Sequence, residues 1–328
     1  MIRVLWLCLA LSLGGCAPML VQAPLAPVPG FRGPHIEAER FVSFDGARLG
    51  LTVWSPTDGP PRAAVVAVHG MNDYANAFHI AAPIWAKAGI VTYAYDQRGF
   101  GRSPSRGVWA GHELMAEDLR TLTGLVRERH PGLPVTLVGE SMGGAIAILA
   151  MASDRPAAAD RVVLLSPAVW GWRNQPLPNR TLLWFAANFT GSKVYTPPAW
   201  LTRRITPTDN RDELVAMGRD PLMVWGARSD ALYGLVEAMD LAWRSIGEVR
   251  APVLYLYGAN DQIIPPRAAL SAAGRLQPKD RSVYYPQGYH LLTRDLEGGR
   301  PIGDAQSFIL DPQAQPPSGL GPIPPAHR

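Results

Sequence analysis

Residues 137–149 read LVGESMGGAIAIL. Apolar and small residues climb to Gly139, a serine follows at 141, and Met142 leads into glycine and a long apolar, alanine-rich run. Glycines on either side of a serine, between a strand-like PVTLV and a helix-like GGAIAILAMA, fit a sharp strand-to-helix corner. A serine at that corner adopts a strained backbone, and its neighbours must lack side chains for the turn to close on the sheet. The corner lifts the hydroxyl clear of both elements. It also sets it at a helix N-terminus, whose free N–H groups favour developing negative charge. The pattern G-x-S-x-G also arises by chance in glycine-rich turns, so the reading depends on partners elsewhere in the chain.

A serine hydroxyl is a weak nucleophile until a histidine takes its proton and a carboxylate orients that histidine. Where a nucleophile sits on such a corner, the partners follow in the order acid, then histidine. Two histidines follow Ser141: His327 in a proline-rich tail, and His290 just past the strand-like RSVYYP. His290 is therefore the candidate base. Asp261 follows the apolar run PVLYLYG, at the carboxyl end of a strand, where groups of open α/β sheets converge. Asp230 is the runner-up, before a helical segment, and Asp280 precedes the last strand at the wrong end of the sheet. Two backbone donors are needed for an oxyanion. The N–H of Met142, after the nucleophile, and the N–H of Met71, in the loop after AAVVAVHG, are the candidates. His69 is expected to brace that loop.

Outward from the corner, strand-like and helical segments alternate. RFVSF and RLGLTVW flank the turn DGA as a hairpin. AAVVAVHG, IVTYAYD, PVTLV, RVVLLSP, PVLYLYG and RSVYYP are near-continuous apolar runs, as strands buried on both faces should be. Helical spacing appears in FHIAAPIWAKAG, GHELMAEDLRTLTGLVRERH and SDALYGLVEAMDLAWRSIGEV. The expected class is α/β: a mostly parallel sheet with helices on both faces and the hairpin at one edge. Residues 168–228 break the rhythm and hold Trp170, Trp172, Trp184, Trp200 and Trp225, with Phe185 and Phe189. They are expected to form an inserted cap in which most aromatics hold the cap together and a minority line a pocket.

The motifs HGMNDY, YDQRGFGRS, GESMGG, YGANDQIIP and GYH, in that order, resemble the α/β-hydrolase superfamily, and within it the monoacylglycerol lipase/lysophospholipase branch that is grouped with serine aminopeptidase-like proteins. The resemblance runs from about residue 40 to residue 309. It implies the α/β-hydrolase fold and the Ser141–Asp261–His290 triad, and says little about substrate. In that branch the corner often reads G-H-S-M-G; Glu140 stands here in place of histidine. Asp96 and Arg98, in the DQRGFGRS loop, are expected to brace it.

The chain has 328 residues, with 31 basic and 27 acidic side chains and a net charge of +4. No dense Lys/Arg run suggests a nucleic-acid partner. No metal-ligand cluster appears and no cofactor is implied. At the N-terminus a basic residue, Arg3, precedes an apolar run over residues 4–13, too short to span a bilayer comfortably and shaped like an export signal. Leu13-Gly14-Gly15-Cys16 resembles the bacterial lipobox. The resemblance implies cleavage after residue 15, acylation of Cys16, and a lipid-anchored protein of the bacterial envelope at the outer membrane, facing the periplasm; a plain signal peptide cut nearby is the alternative. Cys8 lies inside the signal, so a chain cut there keeps Cys16 alone and forms no internal disulfide.

The expected organisation is a signal over residues 1–15, a proline-rich linker over 16–34, a hydrolase domain over 35–310, and a proline-rich disordered tail over 311–328. The linker, extended at roughly 3.1 Å per residue, would reach up to about 50 Å. The expected activity is hydrolysis of carboxylic esters, monoacylglycerol- or lysophospholipid-like. A peptidase, a small-ester hydrolase and a non-catalytic envelope lipoprotein remain as alternatives.

Overall fold

The computed structural model describes residues 19–26, 29–196 and 204–326. Cys16, Trp200 and His327 lie outside the described residues. The strands are β1 (His35–Ile36), β2 (Arg40–Val42), β3 (Arg48–Trp54), β4 (Ala63–Val68), β5 (Ile90–Tyr95), β6 (Val135–Glu140), β7 (Arg161–Leu165), β8 (Val194–Tyr195), β9 (Ala227–Arg228), β10 (Val253–Gly258) and β11 (Arg281–Tyr285). Nine of them form one sheet in the order β1-β2-β3-β5-β4-β6-β7-β10-β11. The pairs from β5 to β11 are parallel, whereas β1, β2 and β3 join antiparallel at one edge. This is the expected mostly parallel sheet with its edge hairpin.

Every residue of β4, β5, β6 and β10 is buried, which explains why their sequences do not alternate. Along β4, Val66 and Val68 face one apolar layer with Leu137, Leu164 and Tyr255, while Val65 and Ala67 face a second with Val138, Leu254 and Leu256. Helices α1 (Ala81–Lys87) and α8 (Gly299–Leu310) cover the second layer, tied together by the Trp85 indole, which donates to the Ile302 carbonyl at 3.1 Å. On the first lie α2 (His112–Arg129), α3 (Met142–Met151), α6 (Ser229–Ser245) and α7 (Pro266–Ala273). Helices α7 and α8, which the sequence reading does not pick out, are amphipathic, and Pro266 and Pro301 fall in their first turns, where a missing N–H costs little.

The stretch 168–228 holds α4 (Leu177–Thr190), α5 (Arg211–Arg219) and the β8–β9 ribbon, with α4 resting on α6. Two segments differ from the expectation of unstructured chain. In the linker, the Gln22 N–H donates to the Trp109 carbonyl (2.9 Å), and the Leu20 and Leu25 N–H groups donate to Asp230 (3.0 Å) and Asp45 (2.7 Å). Residues 19–26 therefore lie against the domain and are not a free spacer. At the other end, proline does prevent regular structure over 311–326, but the chain still packs along the edge strand β11. The Tyr284 N–H donates to Gly321 (2.9 Å), the Ile323 N–H to Ser282 (3.1 Å), and the Ile323 side chain is buried. An edge strand offers unpaired backbone groups, and an extended segment can satisfy them.

Candidate active site

Ser141 has φ +51° and ψ −118°, a conformation that a residue with a side chain holds only when its surroundings enforce it. Here the enforcement is visible. Its N–H donates to the Leu165 carbonyl at 3.0 Å, and its carbonyl accepts from Ala168 at 2.8 Å. The flanking glycines are required by space: a Cβ on Gly143 would lie 2.0 Å from the Val68 carbonyl oxygen, and one on Gly139 would lie 2.6 Å from that of Gly143. Helix α3 thus enters almost against the end of β4.

The strand register gathers the other candidates. Glu140 pairs with Leu165, and Leu165 with Leu256, so the chain leaves β6, β7 and β10 at one level. Asp261 lies just beyond β10 and His290 just beyond β11, at the carboxyl edge shared with Ser141. His290 Nδ1 and Asp261 Oδ2 are 2.8 Å apart, both residues almost fully buried. The other Asp261 oxygen accepts the N–H groups of Ile263 (2.8 Å) and Ile264 (2.9 Å), which fix the carboxylate. Burial disfavours the charged form of His290, but the Asp261 charge and hydrogen bond outweigh it and raise its pKa.

The rival acids are engaged elsewhere. Asp230 pairs with Arg228 and caps Leu20, and Asp280 accepts the Val253 N–H (3.0 Å) at the opposite edge of the sheet. Met71 faces the same cavity as Ser141, and Met142 opens α3. Among the described residues neither backbone N–H is taken by an acceptor. His69 Nδ1 donates to the Gly70 carbonyl (2.8 Å), and its Nε2 accepts the Gln97 N–H (2.9 Å). Both nitrogens are occupied in a neutral ring, whose pKa burial pushes down. Arg98 forks onto Asp45 and Asp118, while Asp96 receives Ala75 and Arg102. These are bracing contacts.

A cavity of about 590 Å³ opens over Ser141. Its lining is apolar: Met71, Trp170, Trp172, Leu183, Leu235 and Met239 contribute, and its polar groups (Ser141, Gln175, Asn179, Tyr195, Ser229) are uncharged. The Trp170 indole N–H donates to the Asn174 carbonyl (3.1 Å), leaving the ring free to present carbon to the cavity. Of the five cap tryptophans, Trp170 and Trp172 line the cavity, and Trp184 and Trp225 are exposed.

Sequence reasoning missed one feature. Arg294, almost fully buried, reaches Asp73 (2.8 Å) and Glu140 (2.5 Å), with Glu213 at 3.9 Å. Asp73 and Glu140 lie in the motifs HGMNDY and GESMGG, but nothing in either, or around Arg294, points to the other two charges.

Comparison with known proteins shows which family and fold the chain shares. The family model "Serine aminopeptidase, S33" matches residues 59–297. The monoacylglycerol lipase of Mycolicibacterium smegmatis is 29% identical over 289 residues, covering 82% of this chain and 95% of its own. The human monoglyceride lipase is 27% identical over 270 residues, covering 80% and 86%. Among solved structures, a soluble variant of the Saccharomyces cerevisiae monoglyceride lipase bound to a substrate analogue superposes with a TM-score of 0.69 at 18% identity, covering 89% of this chain and 100% of its own.

Proposed function

Because the chain belongs to the serine aminopeptidase S33 family of α/β-hydrolases and is a hydrolase of the lipase and esterase type, we propose that Ser141, His290 and Asp261 are its triad and that it cleaves acyl esters of the monoacylglycerol or lysophospholipid kind. The observation that carries the reading is the apolar cavity over Ser141 beside a buried His–Asp pair. His290 removes the Ser141 proton as the hydroxyl attacks the ester carbonyl. The N–H groups of Met71 and Met142 hold the oxyanion. His290⁺, stabilised by Asp261, protonates the leaving alcohol, and water then releases the acid by the reverse roles.

The family name raises the peptidase alternative. An aminopeptidase must hold a substrate ammonium, and a carboxylate is the natural partner for it. Among the described residues, none lining the cavity is Asp or Glu, which favours an uncharged acyl chain. The proposal also retains lipid attachment at Cys16 and an envelope location, on the strength of the lipobox-like LGGC alone.

Ser141→Ala is expected to abolish p-nitrophenyl ester hydrolysis and fluorophosphonate labelling while leaving the melting temperature near that of the parent. Loss of such a residue commonly costs about 10⁴-fold or more in rate. Full activity in the folded variant would end the assignment. Asp261→Asn should be nearly as damaging, and a larger loss in Asp230→Asn would move the acid to Asp230.

A further inference from the structure

Three loops must be held in register for the proposed chemistry: the turn carrying Met71, the corner carrying Ser141, and the segment carrying His290. Charged residues from all three meet in the interior. Asp73 lies two positions after Met71, Glu140 immediately precedes Ser141, and Arg294 lies four positions after His290. Arg294 Nη1 is 2.8 Å from Asp73 Oδ2, and Nη2 is 2.5 Å from Glu140 Oε1. The three side chains are almost fully buried.

We infer that Arg294 is a positioning residue that clamps the oxyanion turn, the nucleophile corner and the histidine segment to one another through Asp73 and Glu140. The inference rests on the triad reading above. Guanidinium suits the task. It stays charged, and its planar fork presents two donors at a fixed angle, so two carboxylates on it are fixed relative to each other. The contact joins segments far apart along the chain: Arg294 is 221 residues from Asp73 and 154 from Glu140. The Arg294 turn is itself fixed: its N–H donates to the Leu291 carbonyl (2.8 Å), and the Leu291 N–H donates to Pro207 (2.9 Å). Reacting groups displaced by about 1 Å lose about 10²-fold in rate, so a clamp at this place acts on kcat.

The same charges act on His290 with opposite sign. Its direct partner is Asp261. Of the others, Glu140 favours the protonated ring and Arg294 disfavours it. Asp73 and Glu213 surround Arg294, Glu213 also faces His79 at 3.4 Å, and Asp295 accepts the Tyr289 N–H beside the histidine. Removing Glu140 or Arg294 therefore has a signature that simple loss of packing lacks.

The test uses Glu140→Gln, Arg294→Met and Arg294→Lys in the full chain. It reads kcat, KM and the pH dependence of kcat/KM on p-nitrophenyl octanoate, with melting temperature alongside. In Glu140→Gln, kcat should fall about tenfold or more with KM within about twofold, and the acidic limb should move down by about half a pH unit. In Arg294→Met the limb should move up. Arg294→Lys keeps the charge without the fork, so its limb should stay while kcat falls. Limbs that do not move in folded Glu140→Gln and Arg294→Met, or that move in the same direction in both, would overturn the clamp. If Arg294→Met does not fold because it strands buried carboxylates, Glu140→Gln carries the test, since it removes one charge from an acidic cluster. An active Ser141→Ala would show that the triad reading had failed; an inactive one with an unmoved Glu140→Gln limb would show that only the clamp had.

Discussion

Chain-length dependence is the sharpest test of the cavity over Ser141. A series of p-nitrophenyl esters from acetyl to dodecanoyl varies only the apolar length. The cavity of about 590 Å³ has room for about twenty groups the size of a water molecule, each about 30 Å³ in the liquid. Its lining is carbon from Trp170, Trp172, Leu183, Leu235 and Met239, so each methylene that enters leaves water for an apolar wall. Burial contributes about 0.8 kcal/mol per methylene, or roughly fourfold in kcat/KM, until the wall is met. From acetyl to octanoyl, six methylenes, the ceiling is about 5 kcal/mol, or about 10³- to 10⁴-fold. Ordering the chain lowers that figure, so a rise of about 10²-fold would already meet the expectation. Steady-state kcat/KM below the micelle threshold is the assay. Ala186→Phe, which puts a ring into the cavity wall contributed by α4, should move the optimum to shorter chains and spare the acetyl ester. A steady decline from acetyl onward would refute the reasoning and point to a small-ester hydrolase.

Burial lifts the Asp295 carboxyl to about 6, above its ordinary 3.8. An acid whose folded pKa is raised contributes stability that is full below about pH 4 and is lost as the pH rises through 6, so the buried charge costs about 1–3 kcal/mol at pH 8. Asp295→Asn should raise the melting temperature at pH 8 and leave it unchanged at pH 4; an equal change at both would contradict the assignment. For the proposed anchor, the full chain expressed in a bacterium should partition with membranes and take up labelled acyl chains, and Cys16→Ser should lose the label. A mature N-terminus without lipid on residue 16 would remove that reading.

The sequence alone determined the local chemistry. Continuous apolar runs announced doubly covered strands because a buried strand has no solvent face to alternate with. Gly139 and Gly143 marked the corner because the backbone there excludes a Cβ. The order Ser141, Asp261, His290 reflects where successive strands end, which is topology written along the chain. Tertiary structure decided what depends on residues meeting from far apart. It put Asp261, and neither Asp230 nor Asp280, on the His290 ring. It separated Trp170 and Trp172, which face the cavity, from Trp184 and Trp225, which do not, since composition carries no direction. It laid the proline-rich ends along the domain, because proline forbids a helix or a central strand but not contact with an open edge. And it joined Asp73, Glu140 and Arg294, three charges whose separate settings give no sign of one another. Buried charges must find partners, and only the closed fold brings these within hydrogen-bond reach.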